Sequence, residues 1–253
     1  MMRAVLIGAG NVGTVFGRLM QQRGHQIIQV VSRNLNSAHL LAAELGCAAA
    51  NDPAILDTTA DIYIVAMADA ALNEIQETYF LGDKLIVHTA GAVSKDILQK
   101  VSTNYGVLYP LQSLRKETPS LQQEIPLLVD GNSPECLSRI ESFARSLSPL
   151  VTRVEDAQRL KLHVAAVIVN NFTNHLYTLA AGYCKEEGLD FTMLQPLIEE
   201  TALRVRFHPP ASVQTGPAIR KDIVTLDKHL RLLTPHGVLK KVYLRMTDSI
   251  MNP

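Results

Sequence analysis

Short apolar runs of strand length alternate with helical stretches and turn residues over roughly the first 150 positions, a pattern of β-α-β units on a parallel sheet. The clearest runs are Arg3 to Ile7, Gln26 to Val31, Asp61 to Ala66 and Lys84 to His88; weaker ones follow at Val107 to Tyr109, Pro126 to Val129 and Leu150 to Thr152. Their apolarity is continuous rather than alternating, which predicts strands covered on both faces. Ser133, followed by Pro134 and Glu135, predicts a helix start, because the hydroxyl can cap a free N–H and proline fits the first turn. After Val154 the β-branched runs give way to a stretch from Asp156 to Glu187 with no proline and one glycine, Gly182. A helix that long reaches roughly 45 Å at 1.5 Å per residue. More helical text runs from Asp190 to Phe207, then a glycine- and proline-marked loop from His208 to Pro217, then two shorter helical segments ending near Ile250. The expected fold class is α/β: a Rossmann-type doubly wound, mostly parallel sheet over residues 1–154, followed by an all-α C-terminal domain over residues 155–253.

A chain of 253 residues holds one large domain or two modest ones, and 47% hydrophobic with 19% charged residues excludes a disordered, collagenous or coiled-coil protein. Twenty-four basic residues cancel twenty-four acidic ones, so no global positive field gathers nucleic acid or an anionic membrane. Cys47, Cys136 and Cys184 are odd in number and far apart, which argues against a disulfide framework and fits a reducing cytoplasm. The opening apolar run is too short for a signal-peptide core, and Val164 to Val169 is far short of a membrane span. The expectation is a soluble, cytoplasmic protein with a small-molecule substrate.

Gly8-Ala9-Gly10-Asn11-Val12-Gly13 follows the first strand directly and opens a helix. The first glycine permits a tight turn, the second leaves room for a pyrophosphate against bare backbone, and the third lets helix pack on strand, so free N–H groups and the positive helix end meet the phosphates. The alternative is a glycine-rich turn that merely packs. About twenty residues on, where a carboxylate would bind the ribose hydroxyls of NAD, the second strand ends in Val31-Ser32-Arg33-Asn34. A guanidinium beside a hydroxyl suits a 2′-phosphate, so NADP (NADPH) is favoured over NAD. Later strands end in Ala66-Met67-Ala68-Asp69 and Val87-His88-Thr89-Ala90-Gly91, loops that should flank the cofactor. His88 there either moves a proton or orients substrate, or is a histidine bonded to backbone. Expected cofactor contacts are Gly8, Gly10, Asn11, Val12, Gly13, Ser32, Arg33, Ala66, Met67 and His88.

On the long helix a wheel places His163, Asn170, Asn174 and Tyr177 on one face and Lys161, Ile168 and His175 on another, with Asn171 between them. Polar rows on an apolar helix suggest a ligand cleft or a polar subunit seam; a solvated face is the alternative. Gly216-Pro217 ahead of Arg220 and Asp222 makes a rigid turn with an arginine placed either to hold a substrate carboxylate or to pair with Asp222. No H-E-x-x-H, histidine pair, hydrolase elbow or phosphate-loop lysine is present, so no metal site is expected and oxidoreduction remains.

These segments, together with Tyr109-Pro110-Leu111-Gln112-Ser113, Lys161-Leu162-His163-Val164-Ala165-Ala166 and Gln214-Thr215-Gly216-Pro217-Ala218-Ile219-Arg220-Lys221-Asp222 in that order, resemble the Rossmann-like NADP oxidoreductases with a helical C-terminal domain of unknown function. That group is related to pyrroline-5-carboxylate reductase, to the 6-phosphogluconate and β-hydroxyacid dehydrogenases and to the deazaflavin-dependent NADP reductases. The resemblance covers nearly the whole chain and implies an N-terminal NADP domain, a helical dimerisation domain and a substrate cleft between them. There are departures. The family's His-Thr-Ser-Gly is here His88-Thr89-Ala90-Gly91, and its later His-Pro-Leu is Tyr109-Pro110-Leu111. The asparagine that follows the catalytic lysine of β-hydroxyacid dehydrogenases by four residues is here Ala165, and the glycine four before it is Ala157. The expected function is hydride transfer to or from a small, anionic carbonyl, imine, hydroxy or amino compound, with Lys161, His163 and Asn171 catalytic and Thr89, Gly216 and Arg220 at the substrate. A non-catalytic NADP-binding regulatory or structural homodimer is the alternative.

Overall fold

The computed structural model describes residues 1–117 and 124–253. Eight strands form one sheet: β1 (Arg3–Ile7), β2 (Gln26–Val31), β3 (Ala48–Ala50), β4 (Ile62–Val65), β5 (Gly82–His88), β6 (Ser102–Pro110), β7 (Leu127–Gly131) and β8 (Val151–Arg153). Their spatial order is β3-β2-β1-β4-β5-β6-β7-β8. All pairs are parallel except β6 with β7. The chain begins in the middle, winds outward to β3, and returns to the other side of β1 at β4. That reversal opens a crevice at the carboxyl ends of β1 and β4, where open α/β sheets take ligands.

The helices packed with this sheet are α1 (Asn11–Gln22), α2 (Leu35–Leu45), the short α3 (Asp69–Leu72) and α4 (Ile75–Thr78), and α5 (Pro134–Leu147). Continuous apolarity along the strands has the cause it suggests. Leu6, Ile64, Val87 and Val129 face one core layer with Phe16, Met20, Ile140 and Phe143. Val5, Ile7, Val65 and Ile86 face the other with Ile75 and Leu98. Successive side chains of a strand point to opposite faces, so a strand buried on both sides carries no polar alternation. Helix α5 starts as the sequence predicts, with the Ser133 hydroxyl accepting from the Cys136 N–H at 3.1 Å and Pro134 in the first turn. Strand β3 is three alanines without β-branched character, and sequence periodicity gives no sign of it.

The expected boundary at residue 154 falls where β8 ends and α6 (Asp156–Ala166) begins. By compactness the chain divides further along, into Met1–Ile168 and Val169–Pro253. Between α6 and α7 (Thr173–Glu186) the long helical stretch widens into a π-helical turn, Val167–Phe172. A π turn inserts extra residues into the helical count, so a wheel drawn from His163 straight through to Tyr177 does not hold. The second unit continues with α8 (Gln195–Arg204), α9 (Ile223–Leu232) and α10 (Gly237–Met251). Within it Cys184, Ala218, Leu226 and Leu233 are the buried apolar side chains, whereas Val169, Met193, Phe207 and Val238 are largely exposed. Among the described residues no helix is long and apolar enough to cross a membrane, and no group of histidine, cysteine or carboxylate side chains could hold a metal ion.

Candidate functional site

The crevice predicted by the strand order is present as a cleft of about 400 Å³, lined by Gly8, Ala9 and Gly10, by Ser32, Arg33 and Asn34, and by Ala66, Met67 and Ala68, with Tyr79 beside them. The glycine loop is built by three different constraints. Gly8 has φ +117°, and a Cβ there would lie 2.2 Å from the Ala66 carbonyl oxygen. A Cβ on Gly13 would lie 2.1 Å from the Gly8 carbonyl oxygen, so this glycine lets the first helical turn close on its own loop. Packing of α1 on the sheet falls instead to Gly17, whose Cβ would meet Leu45 at 2.7 Å and Leu6 at 3.0 Å. Gly10 differs from all of these: its φ is −83°, and nothing lies within 4 Å of the position a Cβ would take. Neither fold nor backbone conformation requires glycine there, and the open space on the cleft side is the cradle a pyrophosphate fits.

At the end of β2 the Asn34 side chain caps α2 by accepting from the Ser37 N–H at 3.0 Å. Arg33 is exposed and makes no hydrogen bond or ion pair among the described residues. An unengaged guanidinium beside the Ser32 hydroxyl, at a cleft wall with no carboxylate, fits the 2′-phosphate of NADP. Asn11 and Val12 stand at the start of α1, where the Asn11 side chain accepts from the Lys116 N–H at 3.3 Å. When bound, the nicotinamide cofactor supplies or accepts a hydride.

His88 is fully buried behind the cleft. Nδ1 accepts from the Ala90 N–H at 3.2 Å and Nε2 stands 3.3 Å from the Ser94 carbonyl. Burial, with Arg159 nearby, pushes its pKa down to about 4. That is the geometry of a histidine bonded to backbone. The Thr89 hydroxyl donates to the Val65 carbonyl at 3.3 Å, tying the ends of β4 and β5 together.

Next to this strand end the start of α6 makes a second cluster. The Tyr109 hydroxyl, near the end of β6, lies 3.0 Å from Nδ1 of His163. Arg159, one helical turn earlier, is 1% exposed. Its Nε donates to the Gly91 carbonyl at 3.3 Å, and Nη2 bonds the Val93 carbonyl and the Asp156 carboxylate. Nη1 is the buried side-chain polar atom without a partner among the described residues. Asp156 in turn accepts from the Ser94 hydroxyl at 2.5 Å. The sequence reading picked His163 but passed over Tyr109 as a site group and Arg159 altogether. Spacing alone carries a signal for Arg159, since positions four apart share a helix face. Lys161 is exposed and makes no hydrogen bond or ion pair among the described residues. In the second unit Asn171 lies in the π turn, and Gly216 has φ +104°. Arg220 is exposed and forms no ion pair among the described residues, while the Asp222 carboxylate caps α9 through the N–H and hydroxyl of Thr225 at 3.1 and 2.7 Å.

Residues 3–91 match the model of the coenzyme F420-dependent NADP oxidoreductases. Residues 125–250 match a domain of unknown function, DUF2520. A crystal structure of a candidate NADP oxidoreductase from Bacteroides fragilis is 36% identical, with 100% of this chain and 98% of that one covered and a TM-score of 0.93. A reductive aminase from Aspergillus terreus, solved with NADPH and ethyl-5-oxohexanoate, shares the fold at 17% identity, covering 99% of this chain and 92% of its own, with a TM-score of 0.74. A curated relative, the glycerol-3-phosphate dehydrogenase [NAD(P)+] of Staphylococcus saprophyticus, is 26% identical over 117 residues, 40% of this chain and 35% of the relative's own length. The chain therefore spans only about a third of that enzyme. With a near-complete match at this identity, the glycine-loop cleft and the helical second half together, the chain belongs to the NADP oxidoreductases that join a Rossmann-type cofactor domain to a helical domain of unknown function.

Proposed function

We propose that this protein is a cytoplasmic NADPH-dependent reductase that delivers hydride to the carbonyl or imine carbon of a small anionic molecule, and that it works as a homodimer. The observation that carries the cofactor half is the cleft itself: open space at Gly10, and an unengaged Arg33 beside Ser32 where a 2′-phosphate would lie. Gly8, Gly13, Asn11 and Val12 shape the phosphate end, and Ala66 and Met67 form the wall toward the nicotinamide. His88 serves this site from behind, by fixing the backbone after β5.

For the substrate half, Lys161, His163 and Asn171 are the polar groups we assign to proton handling. Thr89, Gly216 and Arg220 we assign to holding the substrate, with the exposed Arg220 guanidinium matched to a carboxylate. The homodimer reading rests on the apolar side chains the helical unit leaves exposed, Val169, Met193 and Phe207 among them; sedimentation at micromolar concentration tests it. The cofactor test is thermal protection. NADPH should raise the melting temperature more than NADH at equal concentration, and Arg33→Asp should reverse that order. Equal protection of the parent protein by both would refute the assignment of Ser32 and Arg33. NADPH binding without oxidation against a panel of keto acids and cyclic imines would instead favour a regulatory or structural cofactor-binding protein.

A further inference from the structure

At the carboxyl ends of β5 and β6 the fold brings two proton-carrying groups into contact and keeps room for them with a glycine. The Tyr109 hydroxyl and His163 Nδ1 are 3.0 Å apart, and the two rings meet edge to face with centroids 6.0 Å apart. A Cβ on Gly91 would stand 2.6 Å from that Nδ1 and 2.9 Å from Cζ of the tyrosine, so a larger residue would drive the pair apart. Arg159 grips the carbonyls of Gly91 and Val93 from the same face of α6, fixing the helix against the loop that the pair closes on. Unlike His88, both partners are only half-buried. Resting on the reductase reading above, we propose that Tyr109 and His163 act as one proton-transfer unit, the phenol protonating the substrate heteroatom and the imidazole refilling the phenol, with Gly91 and Arg159 as positioning residues.

Hydride forms the new C–H bond at the carbon of a C=O or C=N group, and the π pair moves onto the heteroatom. The heteroatom takes the phenol proton, the phenol oxygen takes the proton on Nδ1 of the imidazolium, and the imidazole regains one from water. The hydrogen bond itself gates this step. In the charged imidazole, Nδ1–H donates to the phenol oxygen and leaves the O–H free for substrate. In the neutral form with its proton on Nε2, the Tyr109 O–H donates to Nδ1 and is withheld. Among the described residues, the charged groups acting on the phenol are Asp69 from α3 and Arg159 on α6, the latter paired with Asp156. Burial and the Asp69 charge outweigh Arg159 and hold the Tyr109 phenol above its usual range, so it keeps its proton near neutrality.

The test follows the His163 ring by NMR pH titration of the labelled full chain, free and saturated with NADPH or NADP⁺, with binding of each cofactor measured separately by calorimetry. The two cofactor forms differ by one positive charge on the nicotinamide ring. If the pair serves the reacting carbon, the positive ring of NADP⁺ disfavours the imidazolium, so the His163 midpoint should be at least about 0.5 pH unit lower with NADP⁺ than with NADPH. In the free protein Tyr109→Phe and Gly91→Ala should each move that midpoint, and Tyr109→Phe should keep NADPH affinity within about threefold. Tyr109→Phe removes one oxygen atom and serves where Gly91→Ala fails to fold. Equal midpoints with both cofactors bound, or a midpoint unmoved by Tyr109→Phe, would overturn the proposal. Failure of either cofactor to bind is seen directly in the calorimetry and sinks the reductase reading itself.

Discussion

Gly10→Val and Gly13→Ala alter residues three apart, the N-cap and the first turn of α1, and should fail in opposite ways. At Gly10 the backbone is extended, with φ −83° and ψ −166°, and no atom lies within 4 Å of the added Cβ. Valine there restricts the unfolded chain, worth about 0.4–1 kcal/mol in favour of folding. It also loses the modest preference for glycine at a helix N-cap, a cost of about the same size. The net change is within about 1 kcal/mol, a shift of no more than about 4 °C for a chain of this size. At Gly13 the added Cβ lies 2.1 Å from the Gly8 carbonyl oxygen and 3.1 Å from its carbon. Backbone must move, and overpacking of that severity costs about 3 kcal/mol. The helix preference for alanine over glycine returns about 1 kcal/mol, leaving a net loss of about 2 kcal/mol and a melting temperature about 4–8 °C lower. Binding should invert the ranking of stability. Gly10→Val fills the space where pyrophosphate meets backbone and should weaken NADPH by at least about a hundredfold, or about 2.7 kcal/mol. Thermal melts of the cofactor-free protein and calorimetric titration with NADPH measure the two effects separately. A Gly10→Val protein that binds NADPH within tenfold of the parent, or a Gly13→Ala protein that melts with the parent, refutes the division of labour within the loop.

Two further outcomes concern the buried groups behind the cleft. His88 is neutral in the folded chain down to about pH 4, whereas an ordinary histidine takes up its proton near 6.5. The unfolded chain therefore binds the proton first, so stability from this group is whole above about pH 6.5 and falls by up to about 3 kcal/mol on going down to pH 4. Urea melts across that range should show the parent losing more stability on acidification than His88→Gln; parallel losses in the two proteins contradict the burial of a neutral imidazole. Arg159→Met removes the cation beside Asp156, which keeps the Ser94 hydroxyl, and leaves the carbonyls of Gly91 and Val93 without the guanidinium donor. The expected loss is about 3 kcal/mol in a urea melt, with part recovered in Arg159→Lys, and an unchanged midpoint would remove the clamp.

What could be read from the sequence was what has a local cause. The glycine loop, the capped start of α5 and the apolar runs of β1 and β2 each depend on neighbours within a few residues, and strand ends there agree to the residue. Strand β3 depends instead on pairing with β2, and three alanines carry no trace of it. The wheel drawn through the long helix assumed one period, which the π turn at Val167–Phe172 interrupts. The site divides along the same line. Arg33 lines the cleft at a place fixed by its distance from the glycines, a spacing along one β-α-β unit. Tyr109 and His163 are 54 positions apart and meet because β6 lies beside β5 and α6 is clamped over the strand ends by Arg159. Neither residue signals the other by type or spacing. The glycine that admits them, Gly91, has ordinary backbone angles, so its necessity comes wholly from what packs against it. Tyr109 before Pro110 reads in the sequence as a departure from the motif it resembles. In the fold the phenol at that position gains an imidazole partner, so the chemistry moves to a pair of residues and leaves no motif behind.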